Sequence, residues 1–298
     1  MCKKQSVAFF IFALVLLSCG ATYSVPGKDL DYDFDKPDVS FVLPEILHEI
    51  SGLAIIDSST FACVQDENGI LFIYDAVGKR IKNEYPFNID GDYEGITRVG
   101  DTMYVLRSDG VLFEVAHYGT DNFTLQSYNT RIPADNNEGL CYDRAHNRLL
   151  IACKSKIGKG AEFKDRRAVY GFDLETKTRS VEPVFDFDLK TIRDFALENN
   201  VDLPVKSKKN QDEVVIKFAT SAIGIHPVTK KLFLLSAADH LLFIFSMEGT
   251  IERIQQLDKK LFNKPEGIAF YENGDMLITN EGQNKKPTLL RFNYRAGK

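Results

Sequence analysis

Short apolar runs recur along most of the chain, each closed by a polar turn. The clearest set is TFACVQDE, TMYVLRSD, RLLIACKS, KLFLLSAA and DMLITNEG, rich in the aliphatic, aromatic and β-branched residues that suit a half-buried strand. Each follows a glycine that precedes Leu or Ile, in SGLAII, EGITRV, EGLCYD, IGIHPV and EGIAFY. These glycines are Gly52, Gly95, Gly139, Gly224 and Gly267, spaced 43, 44, 85 and 43 residues apart. Three intervals are one period and the fourth is nearly two.

A third apolar run follows in each unit, as in GILFIYDAVG, GVLFEVAHYG, RAVYGFDLET, HLLFIFSMEG and TLLRFNY. A looser fourth follows in RIKNEYPF, TLQSYNTRI, SVEPVFDFDL and IERIQQLD. Four short strands repeated at roughly 40–50 residues predict an all-β propeller, which hides sheet edges by stacking blades around an axis. The expected fold is a five-bladed β-propeller spanning 39–298. Its last unit has three strands, and Val39-Ser40-Phe41-Val42-Leu43 alternates well enough to supply the outer strand and close the ring. The double interval holds TIRDFALENN, helical in pattern, and the polar VKSKKNQDE; these predict an insertion at about 190–213 between blades 3 and 4. A degenerate sixth blade is the alternative, with VVIKFA as its one convincing strand.

The N-terminus reads differently. Lys3 and Lys4 precede an apolar run from Val7 to Leu17, too short to span a bilayer, and then Leu16-Leu17-Ser18-Cys19-Gly20. This resembles a bacterial lipoprotein signal: 1–18 would be removed, Cys19 lipidated, and 19–38 would form a solvated tether. The resemblance implies an envelope protein held on a membrane, expected to be the outer membrane with the domain facing the periplasm. Asp31, Asp33 and Asp35 look like a calcium loop but lack the glycine and terminal glutamate of one, so a charged linker is expected. Cys63, Cys141 and Cys153 leave an odd number of thiols, expected to be buried and free, with a Cys141–Cys153 bridge between neighbouring strands as the alternative.

At 44% hydrophobic and 27% charged, the chain can bury a full core. Its net charge of −5 supplies no surplus of positive charge for a phosphate backbone, which argues against nucleic acid. Length alone would allow two domains; the repeat makes one ring, expected to be a monomer.

In a propeller the first strand of each blade lines the channel, so Ser51, Glu94, Glu138, Ile223 and Glu266 should converge, with Glu49 nearby. The second strands end in a matching set that includes Asp66, Arg107, Lys154, Ser236, Asn280 and Glu281. Arg107 and Lys154 are the expected positive partners of the carboxylates. Such a set reads either as a ring of ion pairs holding blades together or as oxygen ligands for calcium. There is no GxSxG elbow, HExxH helix or phosphate loop. His226, before Pro227, either ends an inner strand or serves as a general base, and His240 is expected in a surface turn.

EISGLA, DYEGIT, NNEGLCYD with LLIACK, SAIGIHPVTKKLFLLSAADHLLFIF and KPEGIAFYENGDMLITNEGQ together resemble the SdiA-regulated family of bacterial envelope proteins. The resemblance runs from about Glu45 to Asn293 and implies a five-bladed propeller; the family's biochemical role is not established. It also sits near esterase-like and lactonase-like propellers that hold calcium in the channel with Glu and Asn. That likeness implies Glu94, Glu138, Glu266 and Asn280 as calcium ligands, with Ala222 and Ile223 leaving blade 4 without one. The functional expectation is a module binding an unknown small molecule or protein. A calcium-dependent hydrolase of esters, lactones or phosphoesters is the alternative, and a structural envelope protein acting through its insertion is a third reading.

Overall fold

The computed structural model describes residues 31–208 and 211–296. The expected signal, Cys19 and the first part of the tether lie outside the described residues. The first strand, β1 (Val39–Val42), leads into blade 1, made of β2 (Ile50–Ile55), β3 (Thr60–Gln65), β4 (Ile70–Asp75) and β5 (Arg80–Pro86). Blade 2 is β6 (Tyr93–Val99), β7 (Thr102–Arg107), β8 (Val111–Ala116) and β9 (Thr124–Asn129). Blade 3 is β10 (Asn137–Asp143), β11 (Arg148–Cys153) and β12 (Arg166–Asp173), with a fourth strand in two pieces, β13 (Thr178–Arg179) and β14 (Phe185–Asp188). Both pieces pair with β12, at opposite ends of it.

Next come α1 (Leu189–Glu198) and a separate hairpin of β15 (Val205–Lys208) and β16 (Gln211–Val214). Blade 4 is β17 (Ala222–Ile225), β18 (Leu232–Ser236), β19 (Leu241–Phe245) and β20 (Ile251–Gln256). Blade 5 is β21 (Pro265–Phe270), β22 (Met276–Asn280) and β23 (Thr288–Phe292), completed by β1, whose Val39 stands opposite Arg291 and Val42 opposite Thr288. The inner strands β2, β6, β10, β17 and β21 each touch the next, and β21 touches β2. The protein is a five-bladed β-propeller closed by its N-terminal strand, with one helix between blades 3 and 4.

The turns follow from short polar side chains. Asp75 Oδ1 accepts from the amides of Val77 and Gly78, and Asp173 Oδ1 from those of Glu175 and Thr176, so each β4 or β12 end folds back on its own aspartate. The apolar faces then stack between neighbouring blades. One layer joins Val64 and Leu71 of blade 1 to Val105 and Phe113 of blade 2; another joins Leu106 and Leu112 to Ile151 and Tyr170 of blade 3. Helix α1 is capped by Asp188, whose side chain accepts from Lys190 N, and buries Leu189, Ile192 and Ala196 in the layer between blades 3 and 4. The VVIKFA segment adds Ile216 and Phe218 to that layer without joining a blade sheet, so no sixth blade forms. No helix among the described residues is long and apolar enough to cross a membrane.

Two expectations change. Residues 31–38 are not a solvated tether, because their alternation buries Tyr32 and Phe34, each 6% exposed, while Asp33 and Asp35 face water. Phe34 packs on Phe262 and Phe292, and Asp38 accepts from Asn293 N and pairs with Arg295. The three thiols are free and buried, and Cys141 stands opposite Leu150 while Cys153 stands opposite Asn137, which rules out the bridge. Burial pushes Cys63 and Cys153 up to about 12, so they are inert packing residues.

Candidate functional site

The repeated glycines are the points where inner strands meet. A Cβ on Gly52 would lie 3.0 Å from Ile96 N, on Gly95 2.8 Å from Glu138 O, on Gly139 3.1 Å from Ile223, on Gly224 2.9 Å from Phe270 and on Gly267 2.8 Å from Leu53. Each glycine therefore faces the inner strand of the following blade, and the last faces the first. At Gly52 and Gly95 the backbone of the next strand itself leaves room for hydrogen alone, whereas at Gly139, Gly224 and Gly267 the nearest atoms across the seam are side-chain atoms of Ile223, Phe270 and Leu53.

Just before four of these glycines the inner strand is irregular. The register shifts between Ile50 and Gly52, Tyr93 and Gly95, Asn137 and Gly139, and Pro265 and Gly267. The skipped residues are Ser51, Glu94, Glu138 and Glu266, and a bulge of this kind re-aims the side chain it carries. All four line one cavity at the axis, with a floor of Leu53, Ile96, Leu140, Ile223 and Ile268. The cavity holds about 10 Å³ of room for the centre of a water, roughly one molecule. Blade 4 has no bulge and offers Ser221 and Ala222 instead, so the wall is acidic on one side and neutral on the other.

A second tier sits above the bulges. The amides of Asp66, Ser108, Lys154 and Glu281 donate to the carbonyls of Glu49, Asp92, Asn136 and Lys264, an equivalent bond in four blades. This brings both sets of side chains to the same end of the ring. Lys154 Nζ donates to Glu138 Oε1, which also accepts from Asn136 Nδ2 at 3.2 Å. Lys264 Nζ donates to Glu281 Oε1 at 2.6 Å and lies 3.3 Å from Glu266 Oε1.

The carboxyls crowd one another. Burial, with the charges of Glu138, Asp92 and Glu266 behind it, pushes Glu94 up to about 10, so it carries a proton at neutral pH. Burial and Glu138 push Glu266 up to about 8 against the pull of Lys264. Burial, Glu49, Glu281 and Asp92 push Asp66 up to about 7. Burial raises Glu138 as well, with Lys154 opposing. Burial works against both lysines, yet the carboxylates outweigh it and hold Lys154 and Lys264 above the usual lysine range.

Of the residues singled out in the sequence, Glu94, Glu138 and Glu266 come together at the axis, with Glu49, Asp66, Lys154 and Glu281 around them. Asn280 does not join them: its Nδ2 donates to Thr288 Oγ1 at 3.1 Å, because alternation along β22 turns it onto the sheet face. Arg107 is taken by Asp109 two residues on, through bonds of 3.0 and 2.8 Å, and lies over the Phe113 ring. Ser236 Oγ donates to Asp239 Oδ2 at 2.7 Å and organises a turn. His226 is fully buried among Tyr32, Phe233, Phe270 and Tyr294, away from the axis and unsuited to act as a base. Lys264, Asp92 and Asn136 were not anticipated, although KPEG, DYEG and NNEG place each two residues before a bulge glutamate.

This set does not fit calcium. The ion takes six to eight oxygens, whereas Glu138 Oε1 and Glu281 Oε1 are each held by a lysine and Asn280 faces elsewhere. Among the described residues, no group of three or more His, Cys, Asp and Glu side chains is placed to hold a metal ion.

No family model and no curated protein matches the chain. Among solved structures, the nidogen/laminin complex is similar at 13% identity over 78% of this chain and 72% of that one, with a TM-score of 0.49. A luciferin-regenerating enzyme is similar at 11% identity over 87% and 95%, with a TM-score of 0.46. The glutaminyl cyclase of Myxococcus xanthus, a β-propeller protein, is similar at 10% identity over 86% of this chain and 94% of that one, with a TM-score of 0.56. At that identity the likeness is one of architecture alone, and it agrees with the ring of blades in making this chain a β-propeller.

Proposed function

We propose that the protein is a lipid-anchored binding module of the bacterial envelope, related to the SdiA-regulated proteins, whose acidic end receives a positively charged group of its ligand. The observation that supports this is an excess of acceptors over donors at the axis. Glu138 Oε2, Asp66 Oδ1 and Asn136 Oδ1 are buried without a hydrogen bond, and Glu94 receives none from the protein. Unpaired buried acceptors of this kind are costly, and a donor that satisfies them is held firmly. Hydrolysis is the weaker reading, because Lys154 and Lys264 already hold Glu138 and Glu281, and His226, the candidate base, is buried away from the axis.

The anchor is part of the proposal. Cys19 would carry the lipid twelve residues ahead of Asp31, where the described chain begins. Labelled palmitate should enter the protein and be lost on Cys19→Ala; equal labelling of both would remove the anchor. For the binding face, a thermal-shift screen of cationic and anionic compounds should give hits among the cations. Those hits should vanish in an Asp66→Asn/Glu94→Gln double variant. Hits that survive this variant, or that are mainly anionic, would place the binding face elsewhere.

A further inference from the structure

We infer that the axis takes one primary ammonium group, held between the Glu94 carboxyl and Glu138 Oε2, at the end of an alkyl stem that leaves through the acidic mouth. The inference rests on the reading of this end as the binding face and narrows its ligand to one chemical class. Glu138 is 2% exposed and Glu266 4% exposed, yet Glu138 Oε2 accepts no hydrogen bond and both side chains line the cavity. The Glu94 carboxyl lines the same cavity and takes no hydrogen bond from the protein. Two carboxyl groups from successive bulges thus offer three free oxygens, which matches the three N–H donors of an ammonium.

Size and charge select among cations. Room for about one water accommodates an ammonium head, whereas a guanidinium brings four heavy atoms in a plane and a quaternary ammonium brings four methyl groups and no donor. The floor of Leu53, Ile96, Leu140, Ile223 and Ile268 supplies no acceptor, so the head stops at the level of the bulges. Glu94 is only partly buried and Asp92 is exposed, which leaves the mouth open above them for a stem. Lys154 and Lys264 already show the principle: each places an ammonium against a neighbouring bulge carboxylate. Arrival of a third cation also favours ionised Glu94, so binding at neutral pH releases the proton that the free protein keeps there.

The test is calorimetric titration of the purified protein with n-butylammonium chloride at pH 7, beside tetramethylammonium and calcium. Saturable binding of n-butylammonium and none of tetramethylammonium is expected, with one proton released per amine, read from the dependence of the heat on the buffer. Glu94→Gln and Glu138→Gln should each weaken binding at least tenfold. Glu94→Gln breaks no hydrogen bond within the protein, so its loss of binding reports the site and not the fold. Nα-acetyl-lysinamide separates the sources of the group: binding as tight as n-butylammonium assigns a lysine side chain, and weaker binding assigns a free alkylamine. Equal binding of tetramethylammonium, or retention of full affinity in Glu94→Gln, overturns the inference. If calcium or tetramethylammonium binds at the acidic end and n-butylammonium does not, the ammonium assignment fails while the cationic reading stands; if no cation binds there, both fall.

Discussion

His226 Nε2 lies 2.7 Å from the Tyr32 hydroxyl, a bond between residues 194 positions apart that ties the segment ahead of β1 to blade 4. His226 Nδ1 accepts from the amides of Val228 and Thr229, so the ring proton sits on Nε2 and is donated to Tyr32. Tyr32 in turn donates to the carbonyl of Gly274, in the turn between the first two strands of blade 5. Tyr32→Ala should therefore cost about 3–5 kcal/mol, as for other buried aromatic truncations. Tyr32→Phe should cost about 1–3 kcal/mol for the unpaired groups alone. Denaturant midpoints measure both, and an unchanged midpoint for Tyr32→Ala would mean that the Tyr32 contacts add nothing to the fold.

The same ring sets a limit on acid stability. Burial pulls His226 down to about 4, so between its ordinary value near 6.5 and about 4 the unfolded chain binds a proton that the folded one refuses. Stability should fall as pH drops through that window and level off below it. The falling limb should flatten in His226→Gln, compared with wild type by urea midpoints from pH 7 to pH 4. Parallel curves would assign the acid sensitivity to other groups.

The ring and its closure were legible because they rest on sterics. Glycines recur where inner strands press together, so their period reports the blades, although in blade 4 Ala222, opposite Leu235, stands where Gly52, Gly139 and Gly267 stand in theirs and Gly224 lies two residues on. Blade 3 was less legible: its outer strand divides around Ser180, whose Oγ accepts from Gly171 N, and Pro183 in SVEPVFDFDL, which cannot donate to a ladder, is the sequence sign of that break. The glutamates of the axis could be found from the EG dipeptides, but the direction of a strand-end side chain could not. Asn280 and Arg107 have the right chemistry in the right register, and each is drawn off by a local partner, Thr288 for one and Asp109 for the other. Tyr32 and Phe34 were hidden by the alternating Asp31, Asp33 and Asp35, which gave the segment a polar composition despite one buried face.

Gly95 offers the sharpest test of the close approach. A Cβ there would meet the Glu138 carbonyl at 2.8 Å and Leu140 Cβ at 2.9 Å, and neither can swing aside as a flexible side chain would. Gly95→Ala should force blades 2 and 3 apart and cost about 1–3 kcal/mol. Shortening Leu140 to Ala in the same chain should not restore the loss, since its Cβ and the neighbouring carbonyl remain. Thermal midpoints of the two variants decide this; a double variant as stable as wild type would move the clash to the Leu140 side chain.

Glu94 should make the protein sensitive to alkali. Its folded value of about 10 stands above the ordinary 4.5, so the folded state holds a proton that the unfolded chain releases across that range. A group raised in this way contributes its full stability below the unfolded value and loses it as pH rises towards the folded one. Glu94→Gln keeps the shape and removes the titration. The variant should match wild type near pH 4 and exceed it increasingly from pH 6 to pH 9, followed by urea midpoints at each pH without added amine. Adding n-butylammonium should narrow the gap by stabilising wild type alone, since the ionised carboxylate then has its donor. A variant less stable than wild type at pH 8 would mean that Glu94 is ionised and already paired in the folded protein.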